Sequence, residues 1–88
     1  MQEKTWQITV SLSEDGERTQ AEAVLRTDAG REVRHTGVAR RSPEDRDVPL
    51  IGEELATCRA LDGLARDLLD ASIADVERNV HSKASITL

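Results

Sequence analysis

The chain has 88 residues, of which 38% are hydrophobic and 33% charged, and its net charge is −5 at neutral pH. That length suits one hydrophobic core, so a single domain spanning residues 1–88 is expected, and the apolar fraction excludes a disordered polyelectrolyte. The excess of acid works against long-range attraction to phosphate backbones, and no apolar run approaches the ~20 residues that a membrane span needs.

The opening Met1-Gln2-Glu3-Lys4 lacks the apolar core of an export signal. The lone cysteine, Cys58, cannot form an internal disulfide, so a reducing, cytoplasmic setting is expected. From Trp6 the apolar residues Trp6, Ile8, Val10 and Leu12 alternate with Gln7, Thr9 and Ser11, the period of a half-buried strand. Asp15-Gly16 in the polar run that follows predicts a tight reversal. A second strand is expected from about Arg18 to Thr27, with Ala21, Ala23 and Leu25 on one face and Gln20, Glu22 and Arg26 on the other. Those alanines let a helix or a bulky neighbour approach closely, and Trp6 is the candidate to fill the space.

Asp28-Ala29-Gly30 predicts a second reversal, leading to a third strand over about Glu32 to Arg40. Val33 and Val38 differ in parity there, so a bulge at Gly37 is expected to turn both inward. Ser42-Pro43-Glu44-Asp45 reads as one capped helical turn, and Val48-Pro49 opens the main helix with Glu53 and Glu54 in its first turn. From about Leu50 to Asn79, Ile51, Leu55, Cys58, Leu61, Ala65, Leu68, Leu69, Ile73, Val76 and Val80 recur at spacings of three and four, forming one apolar stripe. Asp62-Gly63 interrupts it, so a bend or a carboxylate at the edge of the contact is expected. The tail from His81 to Leu88 reads as a short edge strand or a frayed end.

Little in this pattern points to catalysis. No Gly-x-Ser-x-Gly elbow occurs, and Cys58 falls on the stripe read as buried, where it is expected to resist reaction. His35, Cys58 and His81 lie in different elements without ligand-pair spacing, so no metal and no other cofactor is expected. The five glycines are dispersed rather than clustered before a helix, and Trp6 is the only aromatic, so neither a phosphate loop nor base stacking is indicated. Charge is segregated: Arg31, Arg34, Arg40 and Arg41 fall within eleven residues, whereas Glu44 to Arg78 holds ten acids against four bases.

One motif is more specific. Gly37-Val38-Ala39-Arg40-Arg41-Ser42-Pro43-Glu44-Asp45 is followed by Asp47-Val48-Pro49, Ile51-Gly52-Glu53-Glu54-Leu55-Ala56, and Arg59-Ala60-Leu61 with Leu64-Ala65, Leu68 and Leu69. Through these residues the chain resembles, over nearly its whole length, a family of small uncharacterised actinobacterial proteins known as a domain of unknown function. The resemblance implies a dsRBD-like fold, similar to the double-stranded-RNA-binding domain, and brings no activity, cofactor or catalytic residue. It also implies a topological likeness to ribosome hibernation factors.

The expected architecture is therefore α+β, a three-stranded antiparallel sheet followed by one long amphipathic helix in β-β-β-α order. The expected function is that of a non-enzymatic interaction module, a homodimer whose interface includes Leu64, Ile73, Val76 and Val80. The alternative is a ribosome- or RNA-associated stress factor using Arg31, Arg34, Arg40 and Arg41, provided that these arginines project together without carboxylate partners.

Overall fold

The computed structural model describes residues 2–42, 44, 46 and 48–82. Its elements are β1 (Gln7–Asp15), β2 (Arg18–Arg26), β3 (Glu32–Arg40) and α1 (Pro49–Ser82). The strands form an antiparallel sheet in the order β1-β2-β3, so the β-β-β-α arrangement is as expected. The Ser42 to Asp45 turn falls partly on residues outside those described, as does most of the tail.

Hairpin geometry follows from the two glycines. Gly16, at φ 62°, and Glu17 make the first turn, while Asp15 still pairs with Arg18. The reversal thus lies one residue later than Asp15-Gly16. In the second turn Gly30 adopts φ 84°, and the Thr27 amide donates to the Arg31 carbonyl at 3.0 Å. Both backbones need the left-handed region that glycine enters without a Cβ penalty.

Register then fixes which side chains meet. Ile8, Val10 and Leu12 lie opposite Leu25, Ala23 and Ala21, which lie in turn opposite Val33, His35 and Gly37. All of these lie on the side of the sheet that carries α1. Pairing between β2 and β3 runs without interruption from Arg18 opposite Arg40 to Arg26 opposite Glu32, so there is no bulge at Gly37 and Val38 stays on the outer face. Gly37 serves a different end. A Cβ at this position would collide with the Ala56 carbonyl oxygen and the Ala60 amide nitrogen; only a bare α-carbon lets the helix backbone come this near.

The helix meets the sheet through its small residues. Ala56, Ala60 and Leu64 close over Ala21, Ala23, Leu25 and Ala39, with Val10, Val33 and Leu68 at the margin. Gly52 abuts Thr19, and Gly63 lies under the His35 ring. These helix positions, spaced by four, four and three or four residues, form one face. The stripe of larger residues read as the sheet-facing side points elsewhere: Ile51, Leu55, Cys58, Leu61, Leu69, Ile73 and Val76 are all exposed. Where the helix crosses it most closely, the inner sheet surface carries Ala21, Ala23, Ala39 and Gly37, so close packing there is reached by bringing backbones together rather than by inserting large side chains.

Other expectations change for the same reason. Trp6 does not fill the space over the alanines, because the helix backbone occupies it; instead the indole Nε1 donates to Asp28 Oδ1 at 3.2 Å. Cys58 is exposed, not packed in the core. Helical structure continues through Asp62-Gly63, and Asp62 points outward to pair with Arg66 at 3.4 Å. Because the helix starts at Pro49, its first turn holds no acid and Glu53 and Glu54 fall in the second. Leu64, at 2% exposure, is the largest fully buried side chain and belongs to this chain's own core.

Gly37→Ala should therefore destabilise the fold by about 1–3 kcal/mol, the usual cost of overpacking, since the colliding atoms are main-chain atoms that cannot rotate away. Gly63→Ala should cost less, because the His35 ring can turn aside. Urea unfolding at fixed protein concentration measures both, and a Gly37→Ala midpoint equal to that of the wild type would contradict the close-approach account.

Candidate interaction surface

The placement of α1 determines what stays uncovered. The helix packs over β2 and β3 and barely touches β1. The side chains of β1 that share the inner face consequently remain open, with Ile8 52% and Leu12 47% exposed, and Trp6 just before the strand is 54% exposed. Between β1 and the helix runs a shallow trough of about 430 Å³, lined by Leu12, Glu53, Glu54, Thr57, Cys58 and Leu61. Along the outward face of α1 the apolar series continues through Leu69, 59% exposed, and Ile73 and Val76, each 47%. Val80, near the helix end, is partly covered.

Of the four residues expected at an interface, Ile73, Val76 and Val80 lie on the surface and Leu64 does not. Sequence periodicity missed Trp6, Ile8 and Leu12. Their alternation marked one face of a strand correctly, but alternation cannot say that the helix would sit one strand away.

The arginines do not converge. Arg34 projects from the outer face of β3 and is held by Glu32 at 2.8 Å and Glu22 at 3.5 Å, while Arg26 reaches Glu32 from the neighbouring strand at 2.8 Å. Arg31 pairs with Asp75 of α1 at 3.7 Å. Arg40 is six residues along the strand from Arg34, roughly 20 Å at 3.3 Å per residue. Arg41 donates its side chain to the Ser42 carbonyl oxygen at 3.5 Å. Arg40, Arg41 and Arg46 do border a cleft of about 600 Å³ between the first turn, the end of β3 and the start of α1, but Glu14 and Glu17 border it too. The ribosome- or RNA-associated alternative finds no support in this arrangement.

Polar contacts among the described residues also tie helix to sheet. His35 Nδ1 lies 2.9 Å from Asp67 Oδ2, with the ring resting on Gly63 one helical turn earlier. Arg59 donates to the Val38 carbonyl oxygen at 2.7 Å, capping one acceptor on the free edge of β3. His35 thus sits on the edge strand of the sheet, at its junction with the helix. Among the described residues, no three His, Cys, Asp or Glu side chains are grouped as metal ligands would be, and no helix is long and apolar enough to cross a membrane.

Comparison with known proteins gives concordant matches. A family model described as Rv2632c-like matches residues 4–85. The Mycobacterium tuberculosis protein named "Uncharacterized protein Rv2632c" is 45% identical over 78 residues, 89% of this chain and 83% of its own length. The Mycobacterium bovis "Uncharacterized protein Mb1767" is 38% identical over 81 residues, 92% of this chain and 85% of its own. A crystal structure of Rv2632c superposes with a TM-score of 0.83 at 43% identity, covering 92% of this chain and 95% of that one.

The ion-pair ladder on the outer face carries a pH dependence. Hydrogen bonds from Arg26 and then Arg34 hold the Glu32 carboxyl below the usual carboxylate range. A carboxyl with a depressed value stabilises the fold above its unfolded value, and that contribution is lost as pH falls through the folded one. Unfolding midpoints measured from neutral pH into the acid range should fall more steeply for the wild type than for Glu32→Gln. Parallel curves would remove Glu32 as the source.

Proposed function

The chain belongs to the Rv2632c-like family, and we propose that it works by association rather than catalysis, as a homodimeric, cytoplasmic interaction module. The observation that carries this reading is the outward face of α1. A helix whose small side chains are buried and whose large ones, Leu61, Leu69, Ile73 and Val76, are left in water has its larger apolar surface on the wrong side for a monomer.

Energetics point the same way. Burial of apolar area supplies most of the stability of a fold, and here the core cluster is largely alanine with two leucines, Leu25 and Leu64. A domain of this size with so few buried methylenes gains what it lacks by covering its exposed stripe with a second copy. Length adds less than the stripe does. Asp75 is level with the β2–β3 turn through its pairing with Arg31, so the helix runs only about 10 Å beyond the sheet at 1.5 Å per residue. A single thiol, Cys58, is consistent with a reducing compartment.

Light scattering at micromolar concentration should give the wild type a mass of twice 9.7 kDa. Ile73→Asp combined with Val76→Asp should give the single-chain mass while keeping the helical circular-dichroism signal, since both positions are solvent-exposed in one chain. The apparent unfolding temperature of the wild type should rise with protein concentration and that of the double variant should not. A single-chain mass for the wild type refutes the proposal.

A further inference from the structure

Resting on the homodimer reading, a second question is where the outward stripe of α1 docks. We infer that it docks on the partner's β1, over the inner-face strip that carries Trp6, Ile8 and Leu12, so that each helix lies between two sheets. Three observations carry this.

The strip is open on the same side as the helix. Because α1 lies over β2 and β3, the inner face of β1 is open at Ile8 and Leu12, with Val10 between them partly covered. Strands are ~4.8 Å apart and packed helices 8–10 Å apart, so a second helix laid beside α1 rests over β1 rather than in empty space.

The two surfaces match in chemistry. Both are apolar, both are about half exposed, and the trough between Leu12 and Leu61 joins them into one surface. Pairing stripe to stripe alone would leave Trp6, Ile8 and Leu12 in water in the dimer.

The area agrees with a stable interface. Trp6, Ile8 and Leu12 with Leu55, Leu61, Leu69, Ile73 and Val76, each about half exposed, amount to roughly 700 Å² of apolar side-chain surface per copy, enough for a standard specific interface of ~800 Å² per partner, of which a little over half is apolar. Two-fold symmetry then uses the surface twice, with the partner's Ile73 and Val76 toward this chain's β1 and the reverse.

The experiment pairs mass with the emission of Trp6, the only aromatic residue in the chain. Ile8→Asp places a charge on the strip at an exposed position, where the single-chain fold tolerates it. It should convert the twofold mass into the single mass, and Trp6 emission should move from shorter to longer wavelength as the indole regains water. A wild-type dimer whose Trp6 emits at the exposed position, or an Ile8→Asp variant that retains the twofold mass, overturns docking on β1 while leaving the homodimer intact. A wild type of single mass overturns both.

Discussion

The helix of this protein can reach its sheet only because neither surface carries bulk at the crossing. Gly37 on β3 has the main chain of Ala56 and Ala60 directly above it, and Ala21, Ala23 and Ala39 flank the contact. Dispersion attraction between backbones replaces the interlocking of large side chains, and it falls away over fractions of an ångström. Every other feature of the layout depends on this spacing: the continuous register around Gly37, the absence of a bulge, the side of the helix that faces in, and the seating of His35 on Gly63.

Close approach also dictates what is left outside. With one helical face committed to glycine and alanine, the leucines, isoleucine and valine of α1 stay on its remaining surface, and with the helix centred over β2 and β3 the inner face of β1 stays open at Ile8 and Leu12. The result is a small domain with a thin core and a broad apolar exterior. Rv2632c of Mycobacterium tuberculosis shares this fold.

The polar side chains divide into two sets. On the outer face Arg26, Glu32, Arg34 and Glu22 form a cross-strand ladder of alternating sign. Exposed pairs of this kind add little stability, but they keep the guanidinium groups of Arg26 and Arg34 occupied. Facing the helix, His35 with Asp67 and Arg59 with Val38 fix the rotational setting of α1 over the sheet, which the smooth alanine surface alone would leave free to slide.

The sequence by itself determined the elements and their order. Strict alternation from Trp6 to Leu12, two glycine-bearing turns and a long run at spacings of three and four specify three strands and a helix, because those periods reflect local backbone geometry. It also identified Ile73 and Val76 as surplus to one core. It did not determine which helical face turns inward. Two faces of α1 are apolar, one small and one large, and hydrophobic periodicity favours the large one, so Cys58 read as buried and Leu64 as a surface residue. Only the tertiary structure decided between them, since the deciding quantity is the distance between two backbones, and that is set by the missing side chain at Gly37 and the small ones at Ala56 and Ala60, on segments some twenty residues apart in the chain. The pairing of Arg34 with Glu22 and Glu32 and the exposure of Ile8 and Leu12 on β1 have the same origin. Both follow from strand register and helix position, which are long-range properties that no local pattern encodes.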